Sequence, residues 1–562
     1  MKKKPKNSHR PDATVESLIR IFTVPESENS TLGKIESQIS QNLLGFLKEH
    51  IVSSVIAPNE LERNFLDPVI PEEPTYVSEQ ADFLLKHVVA ESVHVASPRF
   101  IGHMTSALPY FMLPLSKMMI ALNQNLVKIE TSKAFTPLER QVLGMLHRLI
   151  YQRSSAFYAE HIQSTSSALG VFCSDGTIAN ITALWVALNH LFQPKDDFAG
   201  IGDEGLFAGI QHYGYRGVAI LVSKRGHYSL KKAANVLGIG RKNLLSIPTD
   251  KGNKILIPEL LQTIQRCKDQ RIAIVAIVGI AGTTETGNVD PLDQLAAICA
   301  THHIHFHVDA AWGGPTLFSD KYRSLLKGIE KADSVTFDAH KQLYVPMGAG
   351  MALFKDHKSL SLVAHHAEYI IRKGSRDLGR TTLEGSRPGM AMLVHSGLRI
   401  MGRKGYELLI DMGIEKARRF ASMIQETTDF ELITEPELNL LTYRYVPSNV
   451  RQFMVTCSQE ELLSINAHLN RLTITIQKEQ RDRGISFVSR TALEPERYHN
   501  QLINVFRVVL ANPLTQIQHL QEILLEQRDI ALRLLSGELA IDYSEHEESD
   551  LTLTLNVMKG LS

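Results

Sequence analysis

Between residues 168 and 356 the chain repeats one pattern: a short apolar run stops at turn or charged residues, then a longer amphipathic stretch follows. ALGVFCSDG (168–176) leads into TIANITALWVALNHLF, and GVAILVSK (217–224) is followed by YSLKKAANVLG. IAIVAIVGIAG (272–282) is followed by PLDQLAAICATHH, and then come IHFHVDAAWGG (304–314), DSVTFDAHKQ and GMALFKD. Runs this short and this apolar read as buried strands, and the stretches between them as helices. Their alternation predicts an α/β domain built on a mainly parallel sheet. Ligands of such sheets sit beyond the carboxyl ends of the strands, so the residues closing each apolar run are the ones to inspect.

The rest of the chain frames that domain. A length of 562 residues exceeds one compact core and implies two or three structural units. Residues 1–97 read as a helical N-terminal segment with a polar, basic start; TLGKIESQISQNLLGFLKEHIVSSV (31–55) has helical periodicity. APNELERNFLDPVIPEEPTYV (57–77) reads as a linker, and a helical pattern resumes over 78–95. The large domain spans 98–388, and a smaller α+β domain over 389–535 carries a long helix and the strands ELNLLTYRYVP and LINVFRVVLANP. Residues 536–562 form an acidic tail whose segment IDYSEHEESD (541–550) reads as a solvated linker.

Charge excludes some function classes. Lys plus Arg and Asp plus Glu number 60 each, so no global field draws nucleic acid or a membrane, and a charged ligand must meet a local site. Cys173, Cys267, Cys299 and Cys457 fit neither zinc spacing nor a disulfide framework, which suits a reducing cytoplasm. The basic start has no apolar run behind it and does not read as a secretory signal. FMLPLSKMMIAL (111–122) comes nearest to a membrane span, but Pro114 and Lys117 make it a covered helix or loop.

Four features end apolar runs. Ser174, Asp175, Gly176 and Thr177 open a helix, where freed amides favour an anion, although the same residues also serve as ordinary caps. His227 follows the strand at 217–224; Asp309 and Lys341 close two others. Charged groups are seldom buried alone, so Asp309 and Lys341 either pair with each other or face a ligand. Pyridoxal phosphate asks for a lysine amine, an acid at its ring nitrogen, an anion cradle and a flat group against its ring. Lys341, Asp309, the 174–177 turn and His227 supply these together. A zinc site on His303, His305, His307 and Asp309 is a weaker alternative, because Asp309 is already used and the strand is too apolar.

AGTTETGNVDPLDQLAAIC, HFHVDAAWGG and SVTFDAHK run in the order and spacing of a known family. The chain resembles the pyridoxal-phosphate-dependent group II amino-acid decarboxylases, and within them it is similar to glutamate decarboxylase, from about Pro98 to Pro513. Its overall pattern most resembles bacterial proteins described as pyridoxal-dependent aspartate 1-decarboxylases. The resemblance implies the aminotransferase-like fold known as fold type I and a homodimer. It implies that Lys341 holds the cofactor aldehyde, supported by His340, while His227 stacks on the ring and Asp309 pairs with its nitrogen. Ser174, Gly176 and Thr177 would bind phosphate, joined by Ser229 and Ser334; Thr283 would lie near the ring substituents and Ala311 against its face.

The same resemblance makes Arg507, Asn123, Asn125 and His103 candidate substrate residues and favours an acidic amino acid. A guanidinium at Arg507 suits a carboxylate, although a surface salt bridge would explain that residue viewed alone. L-aspartate is the expected substrate, giving β-alanine for pantothenate and coenzyme A; glutamate giving 4-aminobutyrate and cysteine sulfinate are the alternatives. Aminotransfer or carbon–carbon cleavage on the same fold, or non-catalytic binding, are the competing activities. One departure stands out. The loop over 372–384 holds no tyrosine to protonate the carbon that loses carbon dioxide, and the nearest is Tyr369.

Overall fold

A computed structural model describes residues 14–16, 19, 52–70, 77–366 and 374–538. Most of the helix expected over 31–55, Tyr369 and the acidic segment 541–550 lie outside the described residues. The chain divides into two compact units: one holds Leu108–Met412, and the other joins residues 52–107 to residues 413–538.

The first unit is built on seven strands: β1 (Gly170–Cys173), β2 (Gly217–Ser223), β3 (Leu244–Ile247), β4 (Ile272–Ile280), β5 (His305–Asp309), β6 (Ser334–Asp338) and β7 (Gly350–Phe354). Their order is β1-β7-β6-β5-β4-β2-β3. The ladder from β6 to β3 is parallel throughout, and β7 runs antiparallel to both its neighbours. β2 and β4 are apolar along almost their whole length because a parallel sheet is covered on both faces. Helix α1 (Gly176–Leu191) packs on β1, β4, β5, β6 and β7. Leu184, Ala187 and Leu188 of this helix meet Val218, Ile220, Val222 and Ala276 in one core cluster. Truncating a buried leucine such as Leu184 to alanine would cost about 2–5 kcal/mol.

Helix α1 starts where it does for a local reason. Asp175 has extended backbone and its carboxylate accepts the Ile178 amide at 2.9 Å, which caps the helix. The turn between β1 and α1 therefore arrives at the carboxyl end of the sheet already ordered.

The second unit carries β8 (Phe430–Thr434), β9 (Leu440–Tyr445), β10 (Ser489–Leu493) and β11 (Ile503–Val509) in the order β10-β11-β9-β8, all antiparallel. The helices Gln459–Arg483 and Ile517–Leu535 pack on it, and Phe420, Phe430, Tyr443, Leu472, Phe506 and Leu520 share its core.

Two local expectations need correction. Within the stretch expected to be a linker, Pro58–Glu62 forms a short helix, because proline at the first helical position loses no hydrogen bond. Met112–Leu122 is a helix that this chain alone does not cover: Leu113, Met118, Ile120 and Leu122 are all exposed. Pro114 falls in its first turn, where it does not break the helix. Among the described residues, no helix is long and apolar enough to cross a membrane.

Candidate active site

A cavity of about 190 Å³ opens where β4, β5 and β6 end and α1 begins. Its walls include Gly176, Thr177, Asn180, His227, Asp309, Ala311, Asp338, His340 and Lys341. Residues separated by more than 160 positions in sequence meet here because parallel strands deliver their carboxyl ends to one edge.

Lys341 sits in the turn after β6, and its amine lies 3.1 Å from Asp338 Oδ2. Asp338 is almost fully buried, whereas the Lys341 side chain keeps a fifth of its surface open. The ion pair weighed between Lys341 and Asp309 is not the one formed, because a turn spaced three residues apart brings Asp338 to the amine first. The other oxygen of Asp338, Oδ1, is buried without a hydrogen-bond partner. His340 shares Asp338 as a neighbour at 3.6 Å through Nε2, while its Nδ1 bonds the Ala349 carbonyl at 3.0 Å. Burial lowers the His340 pKa, against the opposing charge of Asp338.

Asp309 closes β5 with both oxygens engaged. Oδ2 accepts from Asn180 Nδ2 at 3.0 Å, and Oδ1 accepts from the Ala311 amide at 3.2 Å. His227 caps helix α2 (Tyr228–Val236) by accepting the Ser229 amide, and its Nδ1 also bonds Ser229 Oγ at 2.8 Å. That contact fixes the ring against the cavity. Burial lowers the His227 pKa, with the Asp309 carboxylate pulling the other way and Lys341 adding to the depression.

At the anion end, the capping bond turns the Asp175 carboxylate onto the Ile178 amide, and Gly176 and Thr177 line the cavity beside it. A Cβ on Gly176 would stand 2.7 Å from Asp338 Oδ2, so only glycine lets the turn approach the Lys341–Asp338 pair. The donor set fits pyridoxal phosphate. A primary amine, a strand-end carboxylate, a glycine turn at a helix N-terminus and an imidazole share one cavity, and the lysine faces a carboxylate with an unpaired oxygen.

Three residues expected at the cofactor have other partners in this structure. Ser334 opens β6 rather than closing it, roughly 13 Å of strand away from Asp338, and its hydroxyl is taken by His305 and His307. Thr283 is tied into its own turn by Thr286 and the Asn288 amide; its neighbours Gly282 and Thr284 line the cavity instead. Ser174 lies outside the cavity lining, and its amide is bonded to Glu384 at 2.9 Å. Ser229 acts through His227 and Asn180. Asn180 and Asp338 escaped the sequence reading, although a signal was present: Asp338 is a carboxylate closing a buried strand, as Asp309 is, and Asn180 is an amide on a helix otherwise rich in apolar residues.

The substrate candidates stand as follows. Asn123 ends the helix Met112–Leu122 in the left-handed region at φ 42°, and Asn125 bonds Ser386 and the Val127 amide; neither lines this cavity. In the other unit, Arg507 on β11 is buried and donates to the Gly102 carbonyl and Ser489 Oγ, and His103 Nδ1 bonds Thr105. Arg387 forms a buried two-pronged pair with Glu139. His303 closes the helix Leu292–His302 instead of joining β5, and among the described residues no group of three acidic, histidine or cysteine side chains is placed to hold a metal.

Residues 58–446 match the family model of the pyridoxal-dependent decarboxylase conserved domain. The chain is 61% identical over 520 residues to the aspartate 1-decarboxylase of Aliivibrio fischeri, covering 92% of this chain and 95% of that one. It is 27% identical over 434 residues to the cysteine sulfinic acid decarboxylase of Mus musculus, covering 76% and 80%. A crystal structure of mouse CSAD has the same fold, with a TM-score of 0.75 at 24% identity, over 89% of this chain and 99% of that one.

Proposed function

This chain belongs to the pyridoxal-dependent decarboxylases, and from that premise we propose that it converts L-aspartate to β-alanine and carbon dioxide. The observation that carries the substrate is the likeness to the Aliivibrio fischeri aspartate 1-decarboxylase, which extends over nearly the whole of both chains. β-Alanine so formed would serve pantothenate and coenzyme A synthesis.

Bound pyridoxal phosphate supplies an electron sink for the bond to the α-carboxylate. In this reading Lys341 holds the aldehyde carbon through its amine, and the amides of Gly176 and Thr177 at the start of α1 bind the phosphate. Asp309 accepts a hydrogen bond from the ring nitrogen and keeps the proton there; His227 and Ala311 flank the ring. Asp338 would hold the Lys341 amine at the cavity wall whenever that amine is free of the cofactor. Arg507 binds the substrate's side-chain carboxylate, with Asn123, Asn125 and His103 as further substrate residues.

A cytoplasmic homodimer is part of the proposal. Buried, unpaired thiols at Cys173, Cys267 and Cys299 support the compartment, and the exposed apolar residues of the helix Met112–Leu122 support a covering subunit. Sedimentation of the holoenzyme at the monomer mass would refute the dimer.

Steady-state kinetics on aspartate, glutamate and cysteine sulfinate test the substrate. Aspartate is expected to have the highest kcat/KM, and Arg507→Lys to raise KM for aspartate more than it lowers kcat. Faster turnover of glutamate, or a keto acid as product, would overturn the assignment. One methylene separates the two acids and is worth about 1–3 kcal/mol, so the preference should be roughly 10- to 200-fold.

A further inference from the structure

Strands buried on both faces are ordinarily apolar throughout, yet β5 and β6 carry a polar row. His305, His307 and Asp309 alternate with Phe306 and Val308, and Ser334, Thr336 and Asp338 run beside them, with His307 opposite Ser334 and Asp309 opposite Thr336. Asn180 of α1 closes the set from above. His307, Ser334 and Thr336 are 0% exposed and Asn180 is 1% exposed. Burying such groups is costly unless every donor and acceptor is met.

From His305 through Asn180 to Asp309 they are met, in one direction, whereas Asp338 Oδ1 has no hydrogen-bond partner. Asp309 Oδ2 accepts, so the Asn180 atom 3.0 Å away is the amide nitrogen. Asn180 Oδ1 then accepts from Thr336 Oγ1 at 2.7 Å and from His307 Nε2 at 2.9 Å. Burial holds His307 neutral at neutral pH, with its pKa lowered to about 4. With the proton on Nε2, Nδ1 accepts from Ser334 Oγ at 2.9 Å, and Ser334 Oγ accepts from His305 Nε2 at 2.7 Å. The chain of donors from His305 through Ser334, His307 and Asn180 ends at the Asp309 carboxylate, and Asn180 Nδ2 donates as well to Ser229 Oγ at 3.1 Å.

We infer that His307, backed by Ser334, is a positioning residue for Asp309: it locks the Asn180 amide with its nitrogen toward the carboxylate, so that Asp309 meets the cofactor ring nitrogen in one orientation. The inference rests on the proposed pairing of Asp309 with that nitrogen. Neither His307 nor Ser334 lines the cavity, so each acts only through Asn180.

The test titrates apo-protein with pyridoxal phosphate, following the visible band of the lysine-bound cofactor, beside kcat and KM for aspartate. His307→Leu should weaken apparent cofactor affinity about tenfold and lower kcat, leaving KM unchanged. His307→Gln, whose terminal amide nitrogen can replace Nε2 as donor, should restore affinity to within about twofold of wild type. Ser334→Ala frees the ring to adopt the other tautomer and should cost about threefold, but nothing further in the His307→Gln background, because serine acts through the histidine. Wild-type affinity in His307→Leu, or in Ser334→Ala should the leucine variant not fold, would overturn the inference. So would a glutamine variant as weak as leucine. A wild-type protein that never forms the band would instead overturn the cofactor reading beneath it.

Discussion

Lys416 offers a prediction whose size follows from burial alone. It lies in the helix Ala391–Glu426, is 9% exposed, and its amine donates to the Asn512 carbonyl at 2.8 Å, with no carboxylate in ion-pair reach among the described residues. Burial pushes its pKa down from 10.5 to about 7. The folded value lies below the unfolded one, so between those limits the unfolded chain holds the extra proton and stability rises with pH. At 1.36 kcal/mol per unit, the whole span is worth about 5 kcal/mol, and the interval from pH 7.5 to 9.5 about 2.5 kcal/mol. Lys416→Met removes the titration and keeps the packing volume. It also loses the bond to Asn512, but that loss does not vary with pH. The stability gap, variant minus wild type, should therefore shrink by about 1.2 kcal/mol per pH unit over that interval. Two units need not unfold together, so the measurement is hydrogen exchange of peptides covering residues 413–426, compared at each pH. Parallel pH curves for the two proteins would show that Lys416 is charged or hydrated in the folded state, and would refute the argument.

Three further outcomes are expected. Lys341→Ala should abolish the visible cofactor band and reduce aspartate decarboxylation to background; a surviving band would place the cofactor on another lysine. Gly176→Ala puts a Cβ 2.7 Å from Asp338 Oδ2 and should weaken cofactor affinity about tenfold or more, as read by the same band titration. Glu139→Leu strands the buried Arg387 and should cost about 3–5 kcal/mol in thermal unfolding, whereas Glu139→Leu with Arg387→Met should recover most of it; a double variant no more stable than the single would refute the pairing.

The parallel sheet was legible in the chain because covered strands must be apolar along their length, and β2 and β4 are so. Asp309 at the end of β5 followed, as did Lys341 and His227 in the turns after β6 and β2, since a polar group that ends an apolar run has few explanations. Gly176 and Thr177 were legible from the turn they open. The partners of these groups were not. Spacing along one strand cannot show that Lys341 turns back to Asp338, or that Asn180, four residues into a helix, reaches across to Asp309. Nor were the partners of Ser334 and Thr283 legible, because a hydroxyl near a motif takes whichever partner the neighbouring strand or turn offers. Sequence by itself determined which groups would be stranded in an apolar setting and need compensation. Tertiary structure decided what compensates them, because hydrogen bonds between strands and across to a helix depend on register and distance that no local pattern contains.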